Sequence, residues 1–153
     1  VPYFIILLKS LKEERMKKVL IYLLIAMLFS SAAAFADILI ISNKDVPDTA
    51  LSQKNVQEIF LGKRVQWSDN SKIHFVTIKN PDIHEAFLKQ YLKKSDAKWK
   101  AYWKRMVFTG RGTPPQQFGT TQELLEYVSK TDGAVGYIDS ETTAVNVKVV
   151  NVK

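Results

Sequence analysis

The sequence has no cysteine in 153 residues. That excludes a disulfide framework, thiolate metal sites, a cysteine nucleophile and a lipid-modified N-terminal cysteine. Histidine is nearly as scarce, with only His74 and His84. Neither has a ligand partner at metal-binding spacing, and no Gly-x-Ser-x-Gly or His-Glu-x-x-His occurs. No catalytic constellation can be assembled, so the expectation is a protein that is not an enzyme and carries no cofactor or metal. Glycine and proline number six and five, and no internal repeat or low-complexity tract is visible. Collagen-like and wholly disordered chains are thereby excluded. What remains, 46% hydrophobic and 24% charged, is an ordinary globular composition in a length that fits one domain.

Lysine and arginine outnumber the acids 22 to 15, for a net charge of +7. Part of that excess sits in Met16-Lys17-Lys18, a short basic segment followed by an apolar run from Val19 to Phe29. Then comes Ser30-Ser31-Ala32-Ala33-Ala34-Phe35-Ala36, with small residues at 34 and 36. A signal peptidase cuts after this Ala-x-Ala pattern, because its pocket admits only small side chains there. The expectation is a signal peptide over residues 16–36, cleavage after Ala36, and export to the periplasm. The alternative is an uncleaved anchor, since Val19 to Ala36 is near the lower length limit for a spanning helix. The second half of the run is small and weakly apolar, which favours cleavage and leaves no stable membrane span. Residues 1–15 precede this complete signal and read as an extension from a mis-assigned start, or as a short apolar leader from Tyr3 to Leu8. Either way they are set aside from the fold.

Residues 37–153 alternate strand and helix patterns. Asp37 to Ser42 is a continuous apolar run, read as a buried strand. Asn43 to Thr49 is a loop. Ser52 caps a helix with Leu51 and Val56 spaced as a hydrophobic staple, with Val56, Ile59 and Phe60 as its buried stripe and Gly62 as its stop. A turn over Trp67 to Ser71 leads to a second strand, Ile73 to Ile78. Asn80-Pro81 is an N-cap followed by proline at the first helical position, opening a helix with Ile83, Phe87 and Tyr91 inward. Ser95 caps another helix, in which Trp99, Tyr102, Trp103, Met106 and Val107 follow the core-facing spacing. Thr109 to Gly119, with three glycines and Pro114-Pro115, reads as a long loop. Thr120 to Glu123 is a capping box for a helix to about Ser129. Ala134 to Ile138 and Val147 to Val152 supply two more strands. The alternation predicts an α/β domain, a central mixed sheet flanked by about four helices.

Several segments together resemble a known family. They are Leu51-Ser52, Glu58-Ile59-Phe60-Leu61-Gly62-Lys63, Trp67-Ser68-Asp69, Phe87 to Leu92, Thr109-Gly110-Arg111-Gly112 and Asp132-Gly133-Ala134-Val135-Gly136-Tyr137-Ile138. In this order they are similar to the periplasmic phosphate-binding proteins of ABC importers, in the type II periplasmic-binding-protein superfamily. The resemblance spans about residues 38 to 139 and one of the two lobes of that family. It implies the fold of a single lobe, binding of phosphate or another oxyanion, and a transporter component or second subunit as partner.

In this lobe the family holds its anion with an Arg after a strand and a Ser-Gly-Thr at a helix N-terminus. The matching stretch here is Ile78-Lys79-Asn80-Pro81-Asp82-Ile83-His84, with neither element. Pro81 has no N–H, and Asp82 sets a negative charge in the first turn, where it complements the helix dipole. Lys79, Asn80 and His84 are therefore the candidate donors of a degenerate site. Arg111 and Gly112 are further candidates, as a guanidinium flanked by glycine amides free to turn toward a carboxylate or phosphate. The basic stretch Lys93, Lys94, Lys98, Lys100, Lys104 and Arg105 reads as a solvated helix face. Export and the core spacing of its aromatics argue against nucleic acid as a partner. A second reading treats the domain as a binding lobe that has lost its ligand and serves as a periplasmic protein-interaction module.

Overall fold

The computed structural model describes residues 37–153 together with Tyr3 and residues 15–18. The chain divides into two compact units, Val1–Ala34 and Phe35–Lys153. In the first, Tyr3 and residues 15–18 are helical. The rest of the expected extension and signal peptide lies outside the described residues.

Among the described residues the second unit holds six strands and four α-helices. In chain order they are β1 (Ile38–Ser42), β2 (Ala50–Leu51), α1 (Gln53–Phe60), β3 (His74–Ile78), α2 (Pro81–Phe87), α3 (Asp96–Phe108), β4 (Gln116–Phe118), α4 (Thr121–Lys130), β5 (Ala134–Asp139) and β6 (Lys148–Val152). A π-helical turn, Leu88–Leu92, continues α2 and ends at Lys93 in the left-handed conformation. The strands form one mixed sheet in the order β2-β6-β1-β5-β3-β4. Its centre is antiparallel, β1 pairing with β5 and β6. The flank is parallel, β3 pairing with β5 on one side and β4 on the other. This is the mixed α/β sheet that the alternation of patterns predicts.

Local chemistry explains the helix starts. Ser52 Oγ accepts from the Asn55 amide, and the Asn55 side chain returns a bond to the Ser52 amide. Thr120 and Glu123 make the same reciprocal box at α4. Asn80 Oδ1 accepts from the amides of Asp82 and Ile83, with Pro81 between them. Each box satisfies amides that a helix start would otherwise leave without partners.

β5 is buried along nearly its whole length, so helices cover both faces of the sheet centre. Adjacent residues of a strand point to opposite faces, and Gly136 and Tyr137 show the two sides. A Cβ at Gly136 would lie 3.1 Å from Leu124 Cδ2, so α4 packs directly on the strand backbone there. On the other face Tyr137 stacks on Phe87 of α2 with ring centroids 3.9 Å apart. Phe60 of α1 closes on Phe87, Tyr137 and Phe75. α3 joins this layer through Trp103, stacked on Phe75. Among the described residues the core runs from Ile38 to Val150, so the unit Phe35–Lys153 has a core of its own, as a domain does.

Three features depart from the sequence expectation. β2 lies where the loop was expected to lead straight into the cap at Ser52, and Leu51 pairs with Val152. β4 lies within the expected long loop, where Gln116, Gln117 and Phe118 take the edge position beside Val76, Thr77 and Ile78. Neither segment has an apolar run to announce it; each is recruited by a neighbouring strand. In α3 only Trp99 and Trp103 are buried, while Val107 turns outward.

Gly133 joins α4 to β5 at φ +69°, where a Cβ would sit 2.1 Å from the Lys72 carbonyl oxygen. Its own carbonyl accepts from the His74 amide and from Trp67 Nε1. Gly133→Ala is expected to lower the unfolding free energy by about 2–4 kcal/mol, from left-handed strain plus the clash. Urea denaturation of residues 37–153 measures the loss.

Candidate functional site

The C-terminal end of β3 opens onto a cleft of about 510 Å³ that runs beside the edge strand β4. Its walls come from Lys79 after β3, Pro81, His84 and Glu85 of α2, Asp96, Trp99 and Lys100 of α3, and Pro114, Pro115 and Gln117 leading through β4. Ligands of open α/β sheets gather at this end of the strands. β3 delivers Lys79 there because the β3–β4 ladder runs one bond past the strand, from the Lys79 amide to the Phe118 carbonyl.

His84 forms part of the wall and is only 7% exposed. Its Nδ1 lies 2.5 Å from the Tyr137 hydroxyl. Burial raises the Tyr137 pKa well above the phenol range, so this hydroxyl stays protonated. Nε2 lies 3.8 Å from the Asp96 carboxylate, an acceptor, so the neutral tautomer that suits both partners keeps its proton on Nε2 and accepts from the hydroxyl at Nδ1. Asp96 also pairs with Lys100 at 2.7 Å. Burial lowers the His84 pKa; the Asp96 charge opposes the shift and Lys100 adds to it. The ring is therefore neutral at pH 7.

The candidate residues part company here. Lys79 and His84 share the cleft. Asn80 stands at its edge in sequence, but its Oδ1 is spent on the two amides it caps. Those are the amides that an anion at this helix start would need. Asp82 is exposed and is not among the lining residues. Arg111 and Gly112 do not line the cleft either. Gly112 packs toward Trp103 and Met106, and the exposed Arg111 follows the end of α3. Lys100, Asp96 and Trp103 of the wall went unrecognised in the sequence. Lys100 and Asp96 are spaced i, i+4, a signal that marks a surface pair and not a cleft. Trp103 Nε1 is buried without a hydrogen-bond partner among the described residues.

Comparison with known proteins fixes the family. A model described as a PBP superfamily domain matches residues 27–151. The chain belongs to the PBP superfamily. No curated protein matches it by sequence. Among solved structures, one named as a phosphate ABC transporter substrate-binding protein, from Clostridium perfringens with bound phosphate, superposes with a TM-score of 0.59 at 19% identity, over 75% of this chain and 44% of that one. An ABC-type phosphate transport receptor from Vibrio cholerae gives 0.51 at 18%, over 75% and 45%. PstS from Borrelia burgdorferi gives 0.50 at 14%, over 76% and 47%. This PBP-fold chain thus covers less than half the length of each of these structures.

The lowered His84 pKa has a consequence for stability. The unfolded histidine takes a proton near its ordinary value of 6.5, while the folded ring takes it only at lower pH. Stability from this residue is complete above that value and falls as pH drops through it, because the unfolded state then binds more protons. The urea midpoint of residues 37–153 is expected to fall between pH 7.5 and 5.5, and His84→Gln to flatten that dependence (both pH values set about one unit from the ordinary histidine value).

Proposed function

We propose that residues 37–153 form an exported solute-binding lobe that receives a small oxyanion of the phosphate class in the cleft between α2 and α3. The carrying observation is that Lys79 and Lys100, from separate elements, both line one cleft at the C-terminal end of β3. Lys79 has no carboxylate partner among the described residues. Lys100 is tethered by Asp96. An anion between them would gain charge-assisted bonds from both. The PBP superfamily fold supports the reading, as does the likeness to structures named for phosphate transport. The Ala34-x-Ala36 pattern supports export to the periplasm. Binding, not catalysis, is the role this family fold favours.

The site is degenerate in our reading. Asn80 and Pro81 close the α2 amides that an anion would use, and Glu85 and Asp96 offset the lysines. This lobe taken by itself leaves the cleft open to water, which weakens each polar contact. A facing wall, such as a second subunit or a transporter component, would strengthen them. The self-capped α2 favours a second reading, a lobe that has lost its solute and acts as a periplasmic interaction module.

Titration calorimetry of residues 37–153 with phosphate at low salt, with sulfate as the control, separates the two. The binding reading expects saturable heat, and Lys79→Ala weakening it by about tenfold, the size of one charge-assisted contact. Arg111→Ala, outside the cleft, is expected to leave the affinity unchanged. No heat at millimolar phosphate, and none with sulfate, overturns the binding reading and turns the question to which periplasmic protein the domain docks on.

A further inference from the structure

Phe108, the last residue of α3, is 91% exposed, and Val107 beside it is 51% exposed. Fraying does not explain this display. The Gly110 amide donates to the Val107 carbonyl and the Arg111 amide to the Met106 carbonyl, each within 3.0 Å. With Gly110 at φ +65° these bonds form a Schellman motif, which locks the helix end. Thr109 Oγ1 adds a bond to the Arg105 carbonyl. The end of α3 therefore presents a large aromatic ring to solvent from a rigid mount.

The chain on either side of that ring carries charge of one sign. No Asp or Glu occurs from residue 97 to residue 122, while Lys98, Lys100, Lys104, Arg105 and Arg111 do. Lys104 precedes Phe108 by four residues and shares its side of the helix. Arg105 and Arg111 flank the tip and are exposed. Arg105 lies over the Tyr102 ring at 5.9 Å, which holds its charge near the helix. Cations do complement the C-terminal end of a helix dipole, but that does not account for an outward phenyl ring among them. An aromatic tip with a basic rim is the arrangement that enters the headgroup region of an anionic bilayer: the ring takes the interface and the cations take the lipid phosphates.

We propose that the C-terminal tip of α3, with Phe108 as the inserting side chain and Lys104, Arg105 and Arg111 as its rim, docks this domain on an anionic lipid surface. The contact is peripheral and reversible. It does not depend on the cleft or on solute binding, and it gives Arg111 a role the cleft does not.

Co-sedimentation of residues 37–153 with vesicles tests this. We expect binding to phosphatidylcholine vesicles that carry about 30% phosphatidylglycerol, no binding to phosphatidylcholine alone, and weakening by salt. Phe108→Ser is expected to reduce the partition constant about tenfold, the transfer value of one phenyl ring, with an unchanged urea midpoint. Lys104→Glu with Arg111→Glu is expected to abolish binding. Val149→Ser, an exposed apolar position on β6, is expected to change nothing. Equal binding to neutral and anionic vesicles overturns the proposal. So does no binding at low salt, or a Phe108→Ser variant that partitions as before. Capture of an acidic protein by the tip, without vesicle binding, also overturns it and makes the partner a protein.

Discussion

Tyr137 is the side chain on which the rest of this domain depends. It sits on the central strand β5, fully buried, with its ring flat against Phe87 and its hydroxyl on His84. The ring binds the α1–α2 layer to the sheet. The hydroxyl carries the order of the core out to the cleft, because a buried phenol must find a partner and His84 Nδ1 is that partner. The imidazole is then fixed in tautomer and direction, with Nε2 facing the Asp96–Lys100 pair on α3. One buried contact thus sets the position of three groups on the cleft wall.

The same network explains the electrostatic character of the cleft. A buried imidazole resists protonation, so it adds no positive charge near neutrality. Asp96 engages Lys100, and Asn80 closes the first amides of α2. Lys79, without a carboxylate partner among the described residues, and Lys100, tethered by Asp96, are the cations left to attract an anion. A site with one untethered and one tethered cation, open to solvent, differs in kind from a helix start whose amides all face the ligand. The positive excess of residues 97–122 gathers instead along α3 and the turn that ends it, where Phe108 breaks the polar surface.

Much of the fold was legible along the chain because local rules govern it. The cap at Ser52, the box at Thr120, the Asn80-Pro81 start and the stop at Gly62 are short-range chemistry, and the structure keeps each of them. The apolar runs of β1 and β5 announce strands covered on both faces. β2 and β4 were silent, since an edge strand of two or three polar or mixed residues takes its conformation from the strand beside it. Val107 followed the apolar spacing of α3 but faces out, because periodicity does not say where a layer ends. Asn43 shows the same limit: it reads as a loop residue, yet its buried amide donates to the Val128 and Ser129 carbonyls at the end of α4.

The sequence by itself determined the alternation of strands and helices, where each helix begins, the PBP-like character and two of the cleft residues, Lys79 and His84. All of these follow from contacts within a few residues or from motif order. Only the tertiary structure decided the strand order, the pairing of His84 with Tyr137 across 53 positions, the entry of Lys100 and Trp103 into the cleft wall, and the separation of Arg111 from it. Those depend on which faces meet when α2 and α3 pack over β3 and β5. Local patterning states that a face is apolar; the geometry of packing states what lies opposite.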